Sequence, residues 1–305
     1  MPQGSILGPI LFTVYVNDLV HTVSHAKVVL YADDTILLFP AKSTDDIEST
    51  LTHDLQRVST WFASNKLHLN IGKCKWTLFG SKKRLRRSPL PNITINDEQI
   101  EHVDSYKYLG VHLDKNLSWE THVENMCAKV RQRLGVLRRV RDYLDTNTAL
   151  NLYNALILPI IDYCDITYST GCNKYITKVQ RLMLKGGKIV LNVPFDTTST
   201  DVLHKLKWLT SKERTNYHKC ILMFKCLNDM SPNYLSSQFE NVSHGYETRQ
   251  SSHLKIKKCK TNMGQRSFVY CGANLWNNLP LNIRTLSSLE NFKSHLLNHI
   301  SGLHN

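Results

Sequence analysis

The stretch Val28-Val29-Leu30-Tyr31-Ala32-Asp33-Asp34-Thr35-Ile36-Leu37-Leu38-Phe39 decides the fold of the N-terminal part of the chain. Two β-rich runs, 28–31 and 35–39, flank three residues, and this pattern predicts a hairpin with an acidic tip. Two adjacent carboxylates repel each other unless a cation lies between them. Mg²⁺ is the usual cation, because it prefers oxygen ligands and leaves space for phosphate oxygens. The pair alone is equally consistent with an acidic turn that is simply solvated.

Helical and extended patterns surround this hairpin. Residues 10–20 predict a buried helix, and Ser43 with Asp46 forms a capping pair ahead of an amphipathic helix at 44–65. Further strands are predicted at 76–79, 93–95 and 106–113. Hairpin, helix and strands in this order predict an α+β fold, in which helices cover an antiparallel sheet.

From about residue 118 the pattern becomes helical. An apolar stripe at helical spacing predicts a long helix, and further helices are predicted at 147–162 and 174–191. Thr210 and Glu213 have the spacing of a capping box before another helix. A polar, loop-like stretch is predicted at 236–262 and a final helix near 287–300. The chain therefore divides into 1–115, 116–192 and 193–305.

The chain of 305 residues has a formal net charge of +13. Residues 1–72 carry 4 Lys/Arg against 7 Asp/Glu, whereas the remainder carries 34 against 18. A basic surface attracts polyanions, most commonly nucleic acid and next an anionic membrane. A basic protein without such a partner is the alternative.

The eight cysteines have no regular spacing and predict reduced, mostly buried thiols in an intracellular protein, nuclear or cytoplasmic. Cys220 and Cys226 with His218 nearby match no standard zinc spacing. No signal peptide or membrane span is predicted, because the most apolar stretch, 6–20, is short and contains Asn17 and Asp18.

Three further strings accompany the acidic tip: Pro2-Gln3-Gly4-Ser5-Ile6-Leu7-Gly8-Pro9, Leu69-Asn70-Ile71-Gly72-Lys73 and Tyr108-Leu109-Gly110-Val111. Their order and spacing resemble the palm of the reverse transcriptases of non-LTR, LINE-like retrotransposons. The resemblance implies a partial palm at 1–115, a helical thumb at 116–192 and a mixed, mainly helical C-terminal region at 193–305. It continues weakly through Arg181, Trp208-Leu209, 232–235 and 276–280.

The resemblance also implies roles for individual residues in two-metal nucleotidyl transfer. Asp33 and Asp34 are the expected Mg²⁺ ligands, and Lys73 is expected to neutralise or protonate the departing pyrophosphate. The residues expected to contact nucleotide or template are Gln3, Gly4, Gly8 and Tyr31. Read alone, Lys73 is one basic residue among many and the glycines form a turn before a helix.

Two basic groups are expected to contact the nucleic-acid backbone. The first is a run in a predicted loop, Lys82, Lys83, Arg84, Arg86 and Arg87, which is also compatible with a nuclear import signal or a solvated surface. The second lies off the apolar stripe of the helix after 118 and comprises Arg131, Arg138 and Arg139. An ordinary exposed helix face is the alternative for these arginines.

The family activity is RNA-templated DNA synthesis, so the implied partners are an RNA template, a DNA primer and deoxynucleoside triphosphates. The family places its first catalytic aspartate on a strand ahead of the Pro-Gln-Gly string, and here only Met1 precedes Pro2. The sequence therefore predicts a fragment that binds Mg²⁺ weakly and is inactive or nearly so by itself. A non-catalytic nucleic-acid-binding remnant and a degenerate gene fragment are the alternatives. Oligomeric state is not predicted.

Overall fold

The computed structural model describes residues 4–242 and 253–302, which form two compact units. Unit 1 comprises Met1–Tyr108 with Asp114–Asn116, and unit 2 comprises Leu109–Leu113 with Leu117–Asn305. The chain is mixed helix and strand, which agrees with the predicted α+β class at that coarse level. The division of the sequence into three parts remains a prediction.

Unit 1 is built from short strands and two longer helices. Its elements are α1 (Gly8–Val16), β1 (Lys27–Tyr31), β2 (Asp34–Leu38), α2 (Thr44–Ser64), β3 (Lys75–Trp76), α3 (Lys82–Leu85), β4 (Thr94–Ile95), β5 (Glu98–Gln99), β6 (Glu101–His102) and β7 (Ser105–Tyr108). Short 3₁₀ turns lie at Asn17–His21 and Ile71–Lys73. The strand β8 (Val111–Asp114) falls at the boundary between the units.

The helix α2 organises unit 1. The predicted cap is confirmed, because the Ser43 hydroxyl accepts a hydrogen bond from the Asp46 backbone N–H at 3.1 Å. The two halves of α2 pack on different apolar clusters. One cluster has Val16, Leu19, Val58 and Trp61 at its centre. The other has Ile47, Ile93, Ile95 and Ile100. The hairpin is anchored from both sides, since Leu30 and Leu37 pack on the first cluster and Phe39 on the second.

The single covered sheet predicted from the sequence is not what unit 1 contains. The pairs β1–β2 and β4–β5 are separate antiparallel sheets, and β3 pairs with β6 in parallel. The predicted strand 106–113 is also interrupted, because Leu109 and Gly110 have φ of 44° and 82°. Two successive residues in the left-handed region turn the chain, so β7 and β8 replace one strand.

The predicted helix after the glycine string is present, but its predicted burial is wrong. Ile10, Leu11 and Val14 on α1 have relative exposures of 58%, 53% and 70%. Only Val16 of this helix is buried. The reason is that α1 contacts the rest of unit 1 through one side, where Phe12 and Val16 join the first apolar cluster. The Tyr15 hydroxyl also donates to the Asn65 carbonyl.

Unit 2 is helical. Its helices are α4 (Glu120–Val140), α5 (Thr146–Leu156), α6 (Leu158–Asp162), α7 (Asp165–Tyr168), α8 (Asn173–Leu191), α9 (Ser199–Leu206), α10 (Ser211–Leu227), α11 (Asn233–Ser236), α12 (Asn262–Gln265), α13 (Phe268–Asn277), α14 (Leu281–Arg284) and α15 (Leu289–Gly302). A 3₁₀ turn at Arg141–Tyr143 follows α4. The predicted helices at 118 onward, 147–162, 174–191 and 287–300 are confirmed.

The first core of unit 2 lies among α4, α5 and α8. The predicted stripe of α4 is buried, with its central members Val123 and Val130 fully inaccessible. The helix α8 approaches its neighbours through two glycines. A Cβ on Gly186 would lie 2.4 Å from Cε2 of Tyr153, and one on Gly187 would lie 2.5 Å from Cγ1 of Val202. Glycine is therefore required at both positions for close helix packing.

A buried arginine stabilises the end of α8. Arg141 donates through Nε to the carbonyls of Ile189 and Val190 at 3.0 and 3.1 Å. Its other nitrogens donate to the Leu144 carbonyl and the Thr146 hydroxyl. Because the last carbonyls of a helix lack intrahelical partners, this guanidinium acts as a C-terminal cap supplied from elsewhere in the chain.

The second core of unit 2 is aromatic. Phe292 stacks on Phe224 and Trp276, with ring centroids 4.5 and 5.7 Å apart. The predicted capping box is confirmed, because Thr210 and Glu213 exchange hydrogen bonds of 2.9 and 3.3 Å. Of the predicted polar stretch, residues 243–252 lie outside the described part of the chain.

The cysteines are free thiols, as predicted, but the prediction that most are buried is wrong. Cys127, Cys220 and Cys226 are buried, and the other five are partly or fully exposed. Within the described residues, the helices are too short or too polar to cross a membrane.

Candidate active site

The acidic tip is a tight hairpin turn. Tyr31 pairs with Asp34 across the β1–β2 ladder, so Ala32 and Asp33 alone form the loop. Ala32 adopts a φ of 50°, which a two-residue hairpin loop requires at its first position. Tyr31, Asp33 and Asp34 are all exposed. The predicted hairpin with two carboxylates at its tip is therefore confirmed.

The structure brings Tyr108, from the Tyr-Leu-Gly-Val string, into the electrostatic range of this tip. Burial raises the pKa of Tyr108 above its usual value, and the neighbouring Asp34 and Tyr31 raise it further. A negative charge on Asp34 disfavours the phenolate of Tyr108, and this coupling requires the two groups to be close. Two motifs that are distant in sequence thus meet within unit 1.

The tip offers oxygen ligands but does not form a closed cation site. Among the residues described, neither Asp33 nor Asp34 is paired with a basic side chain. In that same part of the chain, three or more potential metal ligands converge at two other places, and not at the tip. Carboxylate oxygens suit Mg²⁺, so the tip fits one side of a divalent-cation site.

The glycine string precedes and begins α1. Gln3 lies outside the described residues. Gly4 has a φ of 88°, which favours glycine, and an added Cβ would meet no atom within 4 Å. Gly8 is the first residue of α1, and its added Cβ would lie 3.7 Å from the Cβ of Ser5, an ordinary contact. Packing requires neither glycine, and the space beside Gly4 is open, whereas the Ser5 side chain lies next to Gly8.

Lys73 lies at the end of the 3₁₀ turn Ile71–Lys73. The Asn70 side chain caps this turn by accepting from the Lys73 backbone N–H at 3.2 Å. The Lys73 side chain is exposed and, within the described residues, forms no ion pair. The local geometry therefore leaves its ammonium group accessible to an external anion.

In the basic run after β3, Lys82, Lys83 and Arg84 lie in the short helix α3, where the predicted loop is wrong, and Arg86 and Arg87 lie in the turn that follows it. The Ser81 hydroxyl caps α3 by accepting from the Arg84 backbone N–H. All five basic side chains of the run are exposed. Arg84 donates to the carbonyls of Lys42 and Ala41 at 2.6 and 3.4 Å, so it also ties α3 to the segment before α2.

The arginines of α4 are exposed, as their position off the apolar stripe predicts. Arg138 also lies over the ring of Phe195, 5.3 Å from its centroid. These two residues line an open groove of about 420 Å³ in unit 2, together with Arg181, Lys185 and Lys188 of α8. The sequence analysis missed the two lysines, although the spacing of Arg181, Lys185 and Lys188 places them on one helix face.

Residues 1–113 match the family described as reverse transcriptase (RNA-dependent DNA polymerase). Reverse transcriptases are nucleotidyltransferases that generally use a divalent metal. The matched range includes the glycine string, the acidic hairpin, the Lys73 turn and most of the stretch that forms β7 and β8. This part of the chain therefore resembles reverse transcriptases.

The chain is similar to polymerases of several mobile elements. It is 29% identical over 217 residues to the RNA-directed DNA polymerase from mobile element jockey of Drosophila melanogaster, covering 68% of this chain and 23% of that protein. It is 24% identical over 225 residues to the probable RNA-directed DNA polymerase from transposon X-element of the same species, covering 72% and 24%.

A third relative is the retrovirus-related Pol polyprotein from type-1 retrotransposable element R1 2 of Nasonia vitripennis, 28% identical over 224 residues, with 68% of this chain and 53% of that protein covered. The chain thus spans about a quarter of the first two relatives. No solved structure matches. The predicted resemblance to non-LTR retrotransposon reverse transcriptases is confirmed.

Proposed function

We propose that this chain supplies part of the palm and the thumb of a non-LTR retrotransposon reverse transcriptase, which synthesises DNA on an RNA template. The proposal rests on one observation above others: within the range that matches the family, a tight turn presents the exposed carboxylates of Asp33 and Asp34. The partial palm would be residues 1–115, the thumb 116–192 and the accessory C-terminal region 193–305.

The proposed chemistry assigns a task to each group near the tip. Asp33 acts as the principal oxygen ligand and Asp34 as a neighbouring second ligand. Mg²⁺, when bound, would hold the primer 3′ oxygen and the triphosphate in line. Tyr31 contacts the nucleotide beside the tip. Lys73, exposed at the end of its 3₁₀ turn, neutralises or protonates the departing pyrophosphate.

The glycine string completes the nucleotide side of the proposed site. Gln3 hydrogen-bonds to a base or sugar edge. The lack of a Cβ at Gly4 and Gly8 lets nucleotide or template approach the backbone closely, and the space beside Gly4 is open. The partners under this proposal are an RNA template, a DNA primer and deoxynucleoside triphosphates.

We further propose that residues 1–305 by themselves are inactive or nearly so. Two-metal transfer requires carboxylates from more than one strand, and the tip contributes Asp33 and Asp34 from a single hairpin. Among the described residues, a third ligand does not join them.

Primer extension on a poly-A template with Mg²⁺ tests both statements. The 305-residue chain is compared with a version extended upstream by a strand that carries an aspartate. We expect primer extension only with the longer protein. In that protein, Asp33→Asn should lower the activity at least a hundredfold. The control Asp45→Asn, at another exposed carboxylate of unit 1, should cause no comparable loss.

The outcomes distinguish the proposed inactivity of residues 1–305 from the proposed role of Asp33 as a metal ligand. Activity of the shorter chain that depends on Asp33 would contradict the proposed inactivity. Activity that survives Asp33→Asn in the longer protein would contradict the role of the hairpin as a metal ligand. Activity in neither protein would favour the second candidate function.

The second candidate function is nucleic-acid binding without catalysis. The observation that favours it is the groove of unit 2, in which Arg138, Arg181, Lys185 and Lys188 surround an open space. Four cations on two helices can contact successive phosphates of a nucleic-acid backbone, a kind of contact that is independent of base sequence. The exposed Arg131 and Arg139 extend the basic surface of α4.

Salt-dependent RNA binding tests this candidate. Each phosphate contact contributes a slope of about −0.7 to −0.9 in a plot of log affinity against log salt concentration. The double variant Arg181→Gln/Lys185→Gln should therefore lower the magnitude of the slope by about 1.5. The charge-matched control Lys257→Gln/Lys258→Gln, on an exposed segment, should change it less. Equal slopes for both variants would exclude the groove as the binding surface.

A further inference from the structure

Three side chains outside the acidic tip converge in unit 1. His53 and Asp54 are consecutive residues of α2, and His25 lies in the loop before β1. The Nδ1 atoms of His25 and His53 each lie 3.6 Å from Oδ1 of Asp54. All three ligand atoms lie within 4.8 Å of one another. No local sequence pattern marks this cluster, because its members are brought together by the tertiary structure.

The Asp54 carboxylate is fully buried and held by the backbone. Its Oδ2 accepts from the N–H groups of His25 and Ala26 at 3.0 and 2.8 Å, whereas its Oδ1 accepts from the backbone N–H of Ser24 at 3.2 Å. Oδ1 therefore retains acceptor capacity, and it is the atom that both imidazoles face. Hydrogen bonds from backbone N–H groups to a carboxylate fix its orientation, as is common for carboxylates that bind metals.

We propose that His25, His53 and Asp54 bind a divalent transition-metal cation, for which Zn²⁺ is the best fit. Bonds of about 2.0–2.2 Å from zinc to nitrogen and oxygen place tetrahedral ligands roughly 3.4 Å apart. Each histidine nitrogen lies 3.6 Å from Oδ1 of Asp54, close to this value, and the two nitrogens lie within 4.8 Å of each other, so rotation of the exposed imidazoles completes the geometry. The side chains of His25 and His53 are 57% and 60% exposed, so water can reach the fourth position.

The chemistry of the ligands separates this site from a magnesium site. Imidazole nitrogens suit Zn²⁺, Cu²⁺ and Ni²⁺, whereas Mg²⁺ prefers oxygen ligands. The second convergent cluster, Asp162, Asp165 and His218, is less suited to a cation, because Arg214 already donates to both oxygens of Asp162 at 2.6 Å.

A metal at this position would join the loop before β1 to the middle of α2. The loop leads directly into the hairpin that carries Asp33, and its Ser24 hydroxyl also accepts from Arg57 of α2. Binding of a cation to the folded state alone raises stability by mass action. The proposed role is therefore structural: the metal stabilises the base of the acidic hairpin.

Zinc titration of the full chain by calorimetry tests the proposal. Cysteines and other histidines can also bind zinc, so the informative quantity is the difference between variants. His25→Gln and His53→Gln replace exposed side chains and leave the Asp54 turn intact. We expect each to weaken one zinc site at least tenfold, and the double variant to bind one zinc ion fewer per chain.

The matched control is His68→Gln, at an exposed histidine of unit 1 outside the cluster. It should retain the zinc stoichiometry and affinity of the unmodified chain. The increase in Tm on adding zinc should be smaller in the double variant than in the control. Unchanged stoichiometry and affinity in the double variant would overturn the proposal.

Discussion

Protonation of His122 is predicted to destabilise unit 2 at mildly acidic pH. His122 lies on α4 and is 6% exposed. Its Nδ1 accepts from the His112 backbone N–H at 3.4 Å, and its Nε2 is buried with no partner. The pKa of His122 is lowered from 6.5 to about 4, mainly by burial, with smaller contributions from the neighbouring His112 and Lys129. Protonation of the ring would also place an N–H group at Nδ1 opposite the His112 backbone N–H, so two donors would face each other.

The sign of the effect follows from proton binding. The pKa in the folded state is about 4 and that in the unfolded state about 6.5, so the unfolded chain binds more protons between these values. Stability is therefore complete above pH 6.5 and declines as the pH falls toward 4. A difference of about 2.5 pH units corresponds to about 3 kcal/mol of unfolding free energy.

Urea unfolding between pH 7 and pH 4.5, monitored by circular dichroism, measures this decline. Other groups also titrate, so the comparison is with His122→Gln, which should remove most of the pH dependence above pH 4.5. The control His295→Gln changes an exposed histidine of α15 and should preserve the pH dependence of stability. A His122→Gln protein with the pH dependence of the unmodified chain would refute the reasoning.

Other substitutions test the packing and the proposed site. Gly186→Ala should destabilise unit 2 by about 1–3 kcal/mol in urea unfolding, because the added Cβ would overlap the Tyr153 ring. Gly135→Ala, with open space around its Cβ, should instead stabilise by about 0.5–1 kcal/mol. Arg141→Ala should lower stability by about 2–4 kcal/mol, because α8 loses its cap; an unchanged urea midpoint would contradict this. Gly8→Ala should leave the melting temperature unchanged and reduce primer extension by the longer protein at least tenfold; full activity would show that nothing approaches Gly8 closely.

The helices of unit 2 were predictable because their signals are local. The stripe of α4 repeats at the helical period, and the partners in the capping box of Thr210 and Glu213 are three residues apart. The Ser43 cap of α2 and the turn at Asp33 were predictable for the same reason. Each feature depends on residues within one or two turns of the chain.

The errors arose where burial or pairing depends on distant residues. The apolar composition of α1 predicts burial, but whether a neighbour covers Ile10 and Val14 is decided by the rest of the fold. A β-rich run such as 106–113 does not reveal that Leu109 and Gly110 turn the chain. Similarly, α3 is stabilised by contacts of Arg84 with the carbonyls of Ala41 and Lys42, which are far away in sequence.

The sequence by itself determined the family resemblance, the acidic hairpin and most helix positions, because motif order, turn chemistry and periodicity are properties of neighbouring residues. Only the tertiary structure decided which separated groups meet. It placed Tyr108 within electrostatic range of Asp34, assembled the groove around Arg181 and brought His25 to Asp54. The physical reason is that long-range proximity results from the packing of whole elements, which no local pattern encodes.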